Sequence, residues 1–155
     1  STMERMPRNV FSRSVDIAAP ADRVWEVMTD FTRWKEWTPT VTRIDALDAD
    51  MLRVGSRARI LQPKLPPAMW RLTVVSTHDF TWVSKSPMVT VTARHRIEAL
   101  GPSSCRATLS IQFGSLFGGV VAWLTRSINE RYLELEAAGL KGRSENPAFV
   151  STEKI

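Results

Sequence analysis

From Val41 to Phe113 apolar and polar residues alternate almost without interruption, the period of strands with one buried and one solvated face. The alternation divides into strands at about 41–47, 55–62, 69–77, 80–86, 89–100 and 104–114, set apart by turn-forming stretches such as His78-Asp79 and Gly101-Pro-Ser-Ser104. Short connections of this kind make successive strands antiparallel neighbours. One connection differs: Gln62-Pro-Lys-Leu-Pro-Pro-Ala68 carries three prolines, which exclude a central strand and predict a stiff surface loop. On that loop Leu65 is placed to close over something apolar. Ahead of these strands, Val10 to Ala18 alternates through Phe11, Val15 and Ile17. Ala19-Pro20-Ala21-Asp22 then breaks the strand and opens a helix, with proline tolerated near the first turn and Asp22 favourable at the positive end. Val24, Trp25, Val27, Met28 and Phe31 form its apolar stripe, and a second short helix carries Trp34 and Trp37 before Pro39.

After Gly114 the period changes. Phe117, Val121, Leu124, Ile128, Tyr132, Leu135 and Gly139 follow steps of four and three, the stripe of one long amphipathic helix. Gly118-Gly119 near its start permits a bend or close packing, and Gly139 and Gly142 are candidate stops. Residues 143–155 are polar enough to be a frayed, flexible tail. The chain therefore divides into an N-terminal extension over 1–9, one folded domain over 10–142, and that tail. An α+β fold follows: a seven-stranded antiparallel sheet curls around the long helix, leaving space between them at one end.

That space gives His95 its interest. In Val89 to Glu98 the alternation puts Val89, Val91, Ala93, His95 and Ile97 on the apolar side. Burying an unpaired polar group costs about 2–7 kcal/mol, so this imidazole needs a hydrogen-bond partner or a cavity beside it. The expected cavity wall takes Trp70, Trp82, Val91, Ala93, His95, Leu109, Ile111 and Phe113 from the sheet, and Val121, Leu124, Ile128 and Tyr132 from the helix. A mainly apolar space with a few polar groups is the usual form of a small-molecule site. Trp70 and Trp82 either fill the space or form a stacking wall, and Trp34 and Trp37 either pack the end of the sheet or line the mouth. His95 is the candidate catalytic residue, an acid/base with Tyr132 as a hydrogen-bond donor. No acidic residue shares the inward phase of the middle strands to orient it, which weakens the catalytic reading.

Composition narrows the function classes. With 155 residues, 43% hydrophobic and 24% charged, the chain reads as one globular domain. Cys105 is the single cysteine, which excludes an internal disulfide and fits a reducing cytoplasm. No membrane-length apolar run and no signal segment is expected. The net charge is +5, and Arg57, Arg59, Arg71, Arg94, Arg96 and Arg106 all fall in the outward phase. They predict a basic sheet face that is either simply solvated or docks an acidic partner or anionic lipid, leaving transient membrane contact open. The aromatic residues point the opposite way, the reverse of a base-stacking platform, so nucleic acid is not an expected partner. His78, His95 and Cys105 are too few and too scattered for a metal site. Gly114-Ser-Leu-Phe-Gly-Gly119 lacks the lysine of a phosphate loop, so no nucleotide cofactor is expected.

Seven fragments, in order, carry a resemblance: Ile17-Ala-Ala-Pro-Ala-Asp-Arg-Val-Trp25, Asp30-Phe-Thr-Arg-Trp-Lys-Glu-Trp37, Val54-Gly-Ser56, Phe80-Thr-Trp82, His95-Arg-Ile-Glu98, Cys105-Arg-Ala-Thr108, and Arg131-Tyr132 through Ala138-Gly-Leu-Lys141. Over residues 10–142 the chain resembles the polyketide cyclase/dehydrase family of the START-like, or SRPBCC, helix-grip superfamily. The resemblance implies a cavity beneath the C-terminal helix for a hydrophobic or aromatic small molecule, in a carrier, sensor or sequestering role. It also implies an alternative, a cyclase/dehydratase-type enzyme using His95. A third reading is a docking module that uses the basic sheet face.

Overall fold

The computed structural model describes residues 8–155, so residues 1–7 of the expected N-terminal extension lie outside the described residues. Arg8 and Asn9 form the turn into the first strand, where the Asn9 side-chain amide donates to the Phe113 carbonyl at 2.8 Å. Seven strands follow the alternation closely: β1 Val10–Ile17, β2 Arg43–Ala46, β3 Arg57–Leu61, β4 Ala68–Ser76, β5 Asp79–Lys85, β6 Thr90–Gly101 and β7 Ser104–Gly114. They form one antiparallel sheet in the order β1-β7-β6-β5-β4-β3-β2. Between β1 and β2 lie α1 (Ala21–Thr29), a 3-10 turn at Phe31–Arg33, and α2 (Trp34–Trp37). The Pro20 carbonyl accepts from the Arg23 and Val24 amides, so the proline sits where a helix has no amide partner to lose.

The alternation fails at one place. A bulge between Leu72 and Val74 shifts the phase of β4, so Val75 packs on the core beside Phe80 and Val74 turns outward. Val74 is therefore not on the inner face that strict alternation would have it share with Trp70 and Leu72.

The expected single C-terminal helix is two helices. α3 (Gly118–Leu124) ends at Thr125, and α4 runs from Arg126 to Glu145. On α3 the buried positions are Gly118 and Ala122. A Cβ built on Gly118 would lie 2.9 Å from the Phe113 carbonyl carbon, so only small residues fit the face that meets β7. The large residues of α3 point away, and Leu124, expected inside, is 68% exposed.

α4 continues past both candidate glycine stops. A Cβ on Gly139 would come 1.9 Å from the Trp37 carbonyl oxygen, so this glycine lets α4 and α2 touch backbone to side. Gly142 lies against the Phe149 ring. Arg143, placed in the tail by the sequence pattern, is helical and buried: its Nη2 donates to Glu36 Oε1 at 2.7 Å and its Nε to the Phe149 carbonyl at 2.8 Å. The Ser151 amide donates to the Glu36 carbonyl at 2.9 Å, which ties the following segment to α2 as well.

The core fills the concave side of the sheet. Ile17, Leu72, Phe80, Ala107, Val24, Met28 and Leu140 are nearly inaccessible and join β1, the middle strands, α1 and α4. The outer face carries the expected arginines, but three are matched by acids. Arg57 pairs with Asp48 at 3.2 Å, Arg94 with Asp79 at 2.6 Å, and Arg106 with Asp16 at 2.7 Å. Half of the six outward arginines are thus neutralised within the fold, while Arg59, Arg71 and Arg96 remain exposed, which takes some force from the basic docking reading.

Candidate functional site

The inner face of the middle strands carries an aromatic wall. Trp82 sits at its centre, with ring centroids 5.1 Å from Phe31, 5.5 Å from Trp34, 5.9 Å from Trp70 and 5.6 Å from His95. His95 stacks on Phe80 at 4.2 Å, nearly parallel. Trp34 also packs on Trp37, and its Nε1 donates to the Met28 carbonyl at 3.0 Å, so both α2 tryptophans belong to the packed end of the sheet. Trp82 fills space, whereas Trp70, one strand farther out, forms the edge of the cluster.

Two polar atoms in this wall have no hydrogen-bond partner among the described residues: His95 Nδ1 and Trp70 Nε1. Both residues are buried. Burial, opposed more weakly by Asp79 and the Phe80 backbone, pushes the His95 pKa down to about 3. The imidazole is neutral throughout the physiological range. It offers a hydrogen bond rather than a proton at neutral pH.

Accessibility along the inner face is uneven. Ile97, Cys105, Ala107 and Leu109 are buried, whereas Val91 and Ile111, nearer the other end of the same strands, are only half-buried. The antiparallel register places at that end the loop 62–67, the turn 86–89 and the segment 115–125. Of the expected helix residues, Tyr132 is buried with its hydroxyl donating to the Pro63 carbonyl, while Val121 and Ile128 are half-buried. Phe113 and Ala93 are buried on the inner face. The structure thus gathers Trp70, Trp82, Val91, Ala93, His95, Leu109, Ile111 and Phe113 on one surface and removes Leu124 from it.

One residue escaped the sequence pattern. Glu136 lies one turn after Tyr132 on α4, and its Oε1 accepts from the hydroxyl of the fully buried Thr40 at 2.9 Å. Thr40 is bonded in turn to Thr38, also fully buried, at 2.9 Å. Burial pushes the Glu136 pKa up to about 7, although the Thr40 hydrogen bond pulls the other way. Glu136 nonetheless keeps part of its surface accessible. Its signal in the sequence was position alone: an acid four residues after Tyr132 and three before Gly139, on the stripe itself.

Two grooves lie elsewhere. One of about 270 Å³ runs between α1, α2 and the end of α4 and is lined by Arg23, Glu26, Asp30, Arg33 and Arg143, with charges of both signs. A second of about 200 Å³ lies beside β1 and α4. Neither is the cavity that the sequence places between sheet and helix. Among the described residues no three His, Cys, Asp or Glu side chains meet as a metal site, and no helix is long and apolar enough to cross a membrane.

A family profile described as "Polyketide cyclase / dehydrase and lipid transport" matches residues 8–145. Solved structures share the fold at low identity. A START superfamily protein from Mycobacterium smegmatis is 19% identical, with 90% of this chain and 99% of that one covered and a TM-score of 0.72. The Zhui aromatase/cyclase from Streptomyces sp. R1128 is 16% identical over 94% of this chain and 98% of that one, with a TM-score of 0.73. A Thermobifida fusca protein is 18% identical over 94% and 99%, also with a TM-score of 0.73. A comparison with curated proteins finds no match.

Proposed function

Since the chain belongs to the polyketide cyclase/dehydrase and lipid transport family, we propose that it binds a hydrophobic or aromatic small molecule between the open end of the sheet and α4. The observation that carries this reading is the pair of buried, unpartnered polar atoms, His95 Nδ1 and Trp70 Nε1, set in an otherwise apolar aromatic wall. Leaving a buried polar group unpaired costs about 1–3 kcal/mol, and a ligand carrying one or two polar atoms relieves that cost while stacking on the rings. The incomplete burial of Val91, Ile111 and Glu136 supports the same location.

Ala93→Phe tests the reading. Ala93 lies between Trp82 and Ile111 on the inner face. Where space exists, the added ring displaces a naphthalene-type fluorescent probe with little change in melting temperature. A filled core responds instead with about 1–3 kcal/mol of destabilisation, and that outcome sinks the proposal. Native mass spectrometry of protein purified without denaturation gives the mass of any copurifying molecule.

A second reading, acid/base chemistry of cyclase/dehydratase type, is favoured by Glu136 rather than by His95. A carboxyl with a pKa of about 7 exchanges protons at neutral pH, whereas an imidazole with a pKa of about 3 does not. On this reading Glu136→Gln lowers turnover of a cyclising substrate about 100-fold or more while retaining its binding. Equal turnover by both proteins removes it.

A further inference from the structure

The open end of the domain presents an apolar surface that the described residues do not cover. Leu116 is 87% exposed, Trp123 74% and Leu124 68%, and Val120, Phe117 and Met88 join them. They form one patch. The Phe117 amide donates to the Met88 carbonyl at 3.2 Å, and the Thr90 and Ser115 hydroxyls bond at 2.9 Å, which fixes the 86–89 turn against the start of α3. Contiguous exposure of this kind on a small soluble fold marks a surface that meets another apolar phase.

Its charge chooses the phase. The segments 62–67, 86–89 and 115–125, which build this end, contain no aspartate or glutamate. Lys64 and Lys85 flank the apolar residues together with Arg126, which also pairs with Glu130 at 3.1 Å, and the whole chain carries +5. Long basic side chains beside a tryptophan and leucines suit a layer that is apolar within and anionic at its surface, where the ring lies at the boundary and the cations reach the headgroups. The small inward residues Gly118 and Ala122 hold α3 flat on β7, so its large side chains stand outward as a rigid set. A second copy of this chain would bring like charges together at the same place.

We infer that α3 and the 86–89 turn form a docking surface for an anionic lipid bilayer, touching the membrane through Trp123, Leu124 and Leu116 without spanning it. The surface surrounds the open end of the inner face, so docking would turn that end toward the lipid. This inference does not depend on what the interior binds.

Sedimentation with vesicles tests it. The full chain is mixed with vesicles of phosphatidylcholine alone or containing 30% (about one third) phosphatidylglycerol, at low and at about 0.5 M salt. The expected result is cosedimentation with the anionic vesicles, weakened at least several-fold by high salt and at least ten-fold by the double substitution Trp123→Ser with Leu124→Ser. Both side chains are exposed, so the melting temperature should stay within about 2 °C of the parent. If that variant fails to fold, Leu116→Ser and a Lys85→Gln, Arg126→Gln pair supply the same comparison. Failure of the parent to bind anionic vesicles overturns the inference, as does binding that none of these substitutions weakens. A parent dimer in analytical ultracentrifugation that the serine substitutions dissociate also overturns it, by assigning the patch to a second copy. A probe-binding interior with no vesicle binding would reject this surface alone, and vesicle binding without probe binding would reject the interior site alone.

Discussion

His95 and Glu136 titrate in opposite senses, and the folded domain loses stability at both ends of the pH scale. The His95 pKa falls on folding from 6.5 to about 3, so between these values the unfolded chain binds the extra proton and stability drops as pH falls. For Glu136 the pKa rises from 4.5 to about 7, so across that interval the native state holds the extra proton and stability drops as pH rises. His95→Gln should therefore flatten the acid side of a urea-derived stability profile, and Glu136→Gln the alkaline side. By pH 8 Glu136→Gln should gain up to about 3 kcal/mol relative to its own difference at pH 4, because each tenfold change in proton affinity between the folded and unfolded chain is worth about 1.4 kcal/mol. Parallel profiles for parent and variant would contradict the burial of that carboxyl. His95 was legible because a lone imidazole interrupts an apolar strand face. Glu136 was not, since an acid on a helix reads as solvated unless its neighbours across space are known, and Thr40 lies 96 residues away.

At the scale of elements, the strands were legible almost to the residue because alternation reports burial directly. Where it misled, the cause was a phase change that leaves no local mark. The β4 bulge moved Val75 into the role of Val74, and the break at Thr125 turned α3 so that glycine and alanine, not leucine and valine, face β7. The glycines of the last helix were misread for a related reason: Gly139 serves a close approach, not a stop. Gly139→Ala should destabilise by more than about 3 kcal/mol, because its Cβ would overlap the Trp37 carbonyl oxygen and backbone cannot move aside cheaply. Gly119→Ala, with open space around its Cβ, should instead stabilise by about 0.5–1 kcal/mol. Thermal denaturation of the two variants tests both signs.

For the whole molecule, the architecture and the set of residues sharing the inner face of the sheet were legible in the sequence, while the placement of the helix residues depended on a break that no spacing announced. That break has a mechanical consequence. Near its C-terminal end α4 is pinned three times, by the Gly139 contact with Trp37, by Arg143 on Glu36, and by the Phe149 ring on Gly142. In mid-helix Tyr132 on Pro63 and Glu136 on Thr40 hold it as well, whereas its first turn follows the helix break at Thr125 and carries exposed Arg126 and Ser127. The helix is thus anchored from Tyr132 onward, and the freedom it has is concentrated in the turn before Tyr132. Amide hydrogen exchange should report this as a step, with low protection over residues 126–130 and high protection from Tyr132 to Arg143. Equal protection along the helix would mean a rigid rod. A stepped one means that the first turn of α4 yields while the rest of the helix holds, and that turn lies at the end where the proposed guest would enter.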